Sequence, residues 1–457
     1  MSRAAATVAG ALAILIAGLS APAFAAPMCG GKRATIVGTQ ENDTLEGTKG
    51  PDVIVGLEGN DAINGRGGND IVCGDEGRDT IAGGAGDDRI FGGDGNDSDG
   101  TFVTINPQGI YDPIYILPGP GGLSGGPGND VIDGGEGNDL LEGGAGHDRL
   151  LGGAGFDVAY GHDGNDLLLG GAERDTLYGG DGDDHLVSGS GAATLVGDAG
   201  NDRLIGSDLN DTLYGGPGDD RMLGNEGVDT MYGDEGNNVM LGGAGRTNAY
   251  ADGGDDIIVT ADDNDTIHSG DGNDRVEAGG GRNQIYTDGG DDVVITGGGD
   301  DSIYGGPGDN RIEAGGGTNS IYADDGEDVI RAGDGNDTVY AGGGDNDIFL
   351  GLGIHQVTTE GGDDLIVIEG DGNNRVYAGI GNDDITTGDG NDTVYADAGN
   401  DTVRAGGGND LLNGEEGHDV LYGENGDDAI YAGAGHDVVR GGDGNDVCYD
   451  AEDAKDC

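Results

Sequence analysis

The sequence predicts an all-β fold wound from short strands and glycine-rich turns, and three observations predict it. Glycine accounts for 106 of 457 residues, against a usual share of about 7%. The chain repeats itself with a period of nine. Within each nine, a turn-forming GGxGxD hexad precedes three residues whose middle member is aliphatic. Glycine at this density cannot line a helical core, because each costs about 1 kcal/mol in a helix interior. The apolar residues also lack the 3.6 period a helix needs. Collagen would require glycine at every third position with abundant proline, and 10 prolines exclude it.

Residues 1–25 read as a secretory signal. Arg3 gives a short positive start, residues 4–19 are apolar, and Ala23-Phe24-Ala25 supplies the small-x-small cleavage pattern. The apolar run is short for a membrane span of about 20 residues. The mature chain is therefore expected to begin near Ala26, to be exported, and to contain no membrane span. Residues 26–37 form an N-terminal cap. Seven nonapeptide units fill 38–100, and a proline-rich interruption occupies 101–124. Twenty-seven units run over 125–367, nine more over 369–449 after the extra residue Ile368, and residues 450–457 cap the end.

The four cysteines, Cys29, Cys73, Cys448 and Cys457, lie two near each end. Four cysteines allow three connectivities, and an exported chain favours disulfides. Pairing Cys29 with Cys73 and Cys448 with Cys457 would staple the ends and leave the middle free. Zinc is the rival reading, but the spacings fit no usual zinc pattern.

The unit has a physical logic. Positions one to six turn, because glycine accepts positive φ and Asn or Asp tolerates it. Positions seven to nine make a three-residue strand whose middle side chain points opposite to its neighbours. That middle position reads Ile132, Leu141, Leu150, Leu168, Leu177 and Leu186, and later Ile303, Ile312, Ile321 and Ile330. Two units thus close one 18-residue coil with a strand on each side and aliphatic residues stacked between. Charge sets the remaining condition. With 89 acidic and 20 basic side chains the net charge is −69, which repels nucleic acid and anionic membranes. Such a chain stays expanded unless cations neutralise its turns.

The successive units GGPGNDVID, GGEGNDLLE, GGAGHDRLL and GGAGFDVAY carry the nonapeptide GGxGxDxUx. On these residues the chain resembles the repeat-in-toxin (RTX), or haemolysin-type calcium-binding, family over its whole repeat region. The resemblance implies a parallel β-roll, a calcium-bound solenoid with two nonapeptide units per coil. In that pattern the position-six Asp gives a carboxylate and loop carbonyls give further oxygens, the hard ligands Ca²⁺ prefers.

Carried over unit by unit, the expected calcium ligands are Asp52, Asp61, Asp70, Asp79, Asp88, Asp130, Asp139, Asp148, Asp157, Asp166, Asp175 and Asp184, then Asp202, Asp211, Asp220, Asp229, Asp256, Asp265, Asp274, Asp292, Asp301, Asp328 and Asp337, and finally Asp383, Asp392, Asp401, Asp410, Asp419, Asp428, Asp437 and Asp446. Position six is instead Ala193, Asn238, Thr247, Asn283, Asn310, Asn319, Asn346, His355 or Asn374 in nine units, eight of them between 238 and 374. With each site pairing unit i and unit i+2 inside a block, on the order of twenty ions are expected, bound more weakly in the middle third.

Position nine faces outward. On one face it carries Tyr160, Tyr178, Tyr214, Tyr232, Tyr250, Tyr286, Tyr304, Tyr322 and Tyr340; on the other, Leu151, Leu169, Val187, Ile205, Leu223, Leu241 and Val259. Tyr rows suit glycan or protein contact, and a contiguous apolar stripe suits an interface. Both also fit simple β propensity. The interruption, with Phe102, Tyr111, Tyr115 and four prolines, reads as an excursion loop whose aromatics pack back onto the roll. Enzyme signatures are poor. Gly122-Leu123-Ser124-Gly125-Gly126 matches GxSxG but sits in a Gly-Pro-rich stretch without the strand and helix that motif needs. HExxH and GxxxxGK[ST] do not occur.

Three classes remain for a secreted, calcium-folded roll. It acts as an extracellular structural or adhesive surface toward cells, glycans or its own copies, as a calcium sink without a specific partner, or as an accessory module of a secreted enzyme. The first is the reading the outer faces favour, and no catalytic residues are expected.

Overall fold

A computed structural model describes residues 26–95, 97, 122–451 and 453–457. The expected signal peptide and nearly all of the interruption, including Phe102, Tyr111 and Tyr115, lie outside the described residues. The described chain is a parallel β-solenoid, and no helix occurs among those residues. Most strands pair in parallel with the one 18 residues earlier and the one 18 residues later, as Val158–Asp163 does with Leu140–Ala145 and Thr176–Asp181. Alternate strands belong to opposite sheets, one of 22 strands and one of 23. Consecutive units therefore close one coil, and the sequence period of nine sets the sheet-to-sheet alternation.

Position eight forms the core. Leu141, Leu150, Leu168, Leu177 and their counterparts are 0% exposed and stack in a single column between the sheets. Each such side chain contributes about 1.5–3 kcal/mol by leaving water. The strands are longer than three residues, which corrects the reading of positions one to three as turn. Many run six residues, from position seven to position three of the next unit, as in Leu167–Ala172. Alternation continues along extended backbone, so position one also faces inward. Position one is glycine in the early coils; later it is filled by buried Ala251, Thr260, Ser269, Leu350 and Ile368.

The turns demand glycine most strictly at position four. At Gly146, φ is 144°, and a Cβ there would collide with the Gly128 carbonyl of the preceding coil. Position two also takes positive φ, and Asp75, His162 and Asp234 adopt it there at 75°, 77° and 62°, in the left-handed region Asp and His tolerate.

Two boundaries differ from the sequence reading. Gly122–Pro127 is a strand of the roll, with Leu123 wholly buried between Ile81 and Leu141. Residues 122–124 therefore complete the seventh unit after Asp97, and the interruption occupies 98–121 instead of 101–124. Leu123 takes the aliphatic position of that unit. Ser124 accordingly stands on a strand beside Ala82 and Glu142, not in a loop. Ile368 is likewise no outlier. It pairs with Leu350 and is 1% exposed, so it holds the position-one slot and the extra residue is absorbed after it.

Both ends are stapled as expected, by Cys29–Cys73 and Cys448–Cys457. The antiparallel pair Met28–Cys29 and Lys32–Arg33 lies over the first coils, where Cys29 packs with Val53, Val55, Ile71 and Cys73. At the other end Asp453–Lys455 adds a last strand to Val438–Asp443.

The outer faces are regular. Tyr214, Tyr232, Tyr250, His268, Tyr286, Tyr304, Tyr322 and Tyr340 form one stack, with centroids 4.5–5.2 Å apart. His268 fills the gap the sequence left between Tyr250 and Tyr286. On the opposite sheet Leu151, Leu169, Val187, Ile205, Leu223, Leu241 and Val259 are in register one above another.

Candidate metal centre

The position-six side chains line the two edges of the roll, one per coil at each edge. Their arrangement begins with a backbone requirement. The N–H of each position-six residue must find an acceptor where the chain turns, and it finds Oδ1 of the position-six residue one coil ahead. Asp148 N–H donates to Asp166 at 2.7 Å, Asp166 to Asp184 at 2.7 Å, and Asp184 to Asp202 at 2.7 Å. All the expected ligands stand in these two ladders. So do three position-six residues missing from the expected set, Asp43, Asp97 and Asp364, which share the same register.

The ladders also cross the interruptions. Asp88 N–H reaches Asp130 at 2.6 Å and Asp97 N–H reaches Asp139 at 2.8 Å, 42 residues apart instead of 18. Asp364 reaches Asp383 across the extra residue at 2.9 Å. Counting sites only within blocks therefore undercounts them. The ladders break at Ala193 and Thr247. There Asp229 N–H turns to the Arg246 carbonyl.

The second carboxylate oxygen carries the chemistry. Oδ2 of Asp130, Asp139, Asp184, Asp220, Asp401 and most of their counterparts is buried without any hydrogen-bond partner. An orphaned buried charge of this kind is costly unless a counter-ion meets it. Burial pushes the carboxyls up accordingly, with neighbouring carboxylates adding to the effect: Asp130 and Asp401 to about 7, Asp184 to about 8. A small position one keeps this space open, because a Cβ on Gly125 would run into Asp130 Oδ2.

The six units with Asn at position six show what surrounds that oxygen. Each keeps the acceptor role of Oδ1, as where Asp292 N–H donates to Asn310 at 3.1 Å. Its Nδ2 takes the place of Oδ2. From there Asn310 Nδ2 donates to the carbonyls of Gly306 at 2.9 Å and Gly308 at 3.1 Å. Asn238 reaches the Asp234 and Gly236 carbonyls the same way, at 3.4 and 3.1 Å. In an Asp unit these same carbonyls of positions two and four face a carboxylate oxygen, with no donor between them. The pocket is thus built from hard oxygen acceptors alone, which fits Ca²⁺ and repels itself without it. Among the described residues no three His, Cys, Asp or Glu side chains converge on one point. A site here would take one or two carboxylates and draw its other oxygens from the backbone.

The histidines do not form a second centre. His147 and His418 sit at position five, where Nδ1 accepts the N–H of Asn165 and His436 at 2.8 and 2.9 Å, as Asn and Asp do at that position in other coils. His355, which replaces a ligand, is buried, with Nδ1 3.3 Å from Asp337 Oδ2 and Nε2 3.1 Å from the Gly351 carbonyl.

Comparison with known proteins agrees with this geometry. The family model for the RTX calcium-binding nonapeptide repeat matches at 37–72, 74–98, 124–247, 250–354 and 370–449. None of the curated proteins searched matches the chain.

Proposed function

The chain belongs to the RTX calcium-binding nonapeptide repeat family, and on that premise we propose that it is a secreted protein that folds on calcium outside the cell and then presents its sheet faces as a structural or adhesive surface. The observation that carries the folding half is the partnerless Oδ2, repeated coil after coil along both edges. Asp Oδ2 with the carbonyls of positions two and four would hold the ion. Calcium there would neutralise the carboxylates and tie one coil to the next. Because those oxygens converge only in the wound chain, the binding free energy is folding free energy. An extended, strongly acidic chain before export and a rigid roll after it follow from the same residues.

The surface half rests on the eight-ring stack from Tyr214 to Tyr340. The rings lie face to face, so they turn their edges outward coil by coil, with hydroxyls on all but His268. A regular row of amphipathic tips suits a partner with its own repeat, such as a glycan chain or a second copy of this roll. Binding of the mature protein to cells, glycans or itself, measured in calcium, tests this. Replacing Tyr232 and Tyr250 with Ser should abolish binding while leaving the strand signal intact. Undiminished binding would assign the contact elsewhere, and no binding at all would leave a calcium sink. No catalytic residues are proposed. Ser124 lies on a strand instead of the sharp strand-to-helix turn of a hydrolase nucleophile, and a hydrolase activity lost in Ser124→Ala would overturn that view.

A further inference from the structure

We infer that the coils between Asn238 and Asn374 are built to stand without calcium, an internal amide or imidazole taking the ion's place in seven of their sixteen turns. The inference rests on the reading of the Asp turns as calcium sites and adds to it a division of the roll into a self-supporting centre and calcium-dependent flanks.

Three observations carry it. First, every position-six Asn donates from Nδ2 to a carbonyl of its own turn: besides Asn238 and Asn310, Asn283 to Gly279 at 3.3 Å, Asn319 to Gly315 at 3.3 Å, Asn346 to Gly344 at 2.9 Å and Asn374 to Gly372 at 2.9 Å. His355 meets the Gly351 carbonyl in the same way. A carboxylate oxygen in that position needs a cation between itself and the carbonyls; an amide nitrogen needs none. Second, the same amides serve the carboxylate of the next coil. Asn319 donates to Asp337 Oδ1 at 2.9 Å and Asn346 to Asp364 Oδ1 at 3.0 Å, so these two Asp residues each gain a neutral donor. Third, position one, which is mostly glycine in the coils before 242, here carries side chains that fill the interior: Ala251, Ala278, Ala314, Ala323, Ala332, Ala341, Leu350 and Ile368 join the buried core. The centre therefore has fewer unpaired charges than either flank and more apolar burial per coil than the coils before it, while Ala378, Ala396, Ala405 and Ala432 fill position one in the same way beyond 374. The stacked ring row of Tyr214 to Tyr340 lies mostly on these coils, so its geometry would persist when calcium is scarce.

Hydrogen exchange with mass spectrometry on the full mature chain tests this, in calcium and in EDTA. In EDTA, strand amides between 239 and 373 should stay at least tenfold better protected than those between 130 and 220 or between 392 and 446, while in calcium all three regions should be protected. The double variant Asn310→Asp with Asn346→Asp should bring the centre down to the level of the flanks in EDTA, and calcium should restore it. Uniform loss of protection in EDTA with full recovery in calcium would overturn this inference and leave the calcium-folding reading standing. Protection throughout in EDTA, unaltered by calcium, would overturn both.

Discussion

Asp220 offers the sharpest test of the edge chemistry, because it adjoins the first Asn turn. Its Oδ1 accepts the Asp202 N–H at 2.7 Å and its own N–H donates to Asn238 at 3.0 Å. Its Oδ2 has no partner, and burial, reinforced by Asp202, Asp219 and Asp234, pushes the carboxyl to about 7. At 1.36 kcal/mol per pH unit, holding that group ionised at pH 7 in a metal-free roll would cost at most about 4 kcal/mol. Water reaching the turn reduces this, and about 1–3 kcal/mol, the usual cost of an unpaired buried polar group, is the working magnitude. Asp220→Asn keeps the Oδ1 acceptor and points an amide at the Gly216 and Gly218 carbonyls. In EDTA it should therefore raise protection of the amides around 202–222 by about 5- to 150-fold. In calcium the sign reverses. An ion at 100 times its dissociation constant supplies about 2.7 kcal/mol, and the variant forfeits much of that. Asp220→Ala also removes the acceptor for Asp202 and should lose protection in both conditions. Hydrogen exchange at those amides reads all three proteins. If Asn and Ala behave alike in EDTA, or if Asn protects in calcium as well, the cation role assigned to Oδ2 is wrong.

The remaining expectations follow from the same structure. Raised carboxyls such as Asp97 at about 7 and Asp184 at about 8 bind protons in the folded state that the unfolded chain has already released. Without calcium the stability they confer is complete below about pH 4 and is lost as pH rises toward 8. Circular dichroism in chelated buffer should thus show more strand at pH 5 than at pH 8, and less calcium should be needed to complete folding at pH 5, because protons already neutralise part of the carboxylates. More strand at the higher pH without calcium would contradict this. Gly146→Ala places a methyl against the Gly128 carbonyl and should open the coils on either side, seen as local loss of exchange protection in saturating calcium; an unchanged pattern would mean the turns are looser than they look. Reducing Cys29–Cys73, which closes 44 residues, should cost about 4 kcal/mol by the chain-entropy estimate. Strands at 53–58 and 71–76 should then exchange faster, with no effect beyond residue 200.

Much of this architecture was legible in the sequence because the repeat is physical as well as statistical. A strict nine-residue spacing of Leu168, Leu177 and Leu186 can stack only if two units close one coil, and the position-six Asp residues then fall on the edges. The disulfide pairing followed from placing the cysteines near the ends. Other features were hidden for identifiable reasons. Position one faces the core, but glycine has no side chain to reveal which way it points, so the sequence pattern ends the strand at position nine. The seventh unit was split by 98–121, and Leu123 is recognisable as its aliphatic residue only once Asp97 is seen bonded to Asp139. Asn at position six looked like a lost ligand. Its carboxamide has nearly the shape of a carboxylate, and only the carbonyls around Nδ2 show that it completes the turn instead of weakening it. His268 was invisible as a member of the Tyr stack because its membership depends on ring geometry, not residue type.

Calcium-dependent folding is the central claim, and its most direct measurement is far-UV circular dichroism of the mature protein titrated with Ca²⁺ from a chelated start, with Mg²⁺ in parallel. Most of the strand signal should appear only as calcium is added, with a small residue from the central coils beforehand and no comparable response to magnesium. Full strand content in chelator, unmoved by calcium, would mean that the aliphatic column and the disulfides hold the roll by themselves and that the edge carboxylates have another purpose.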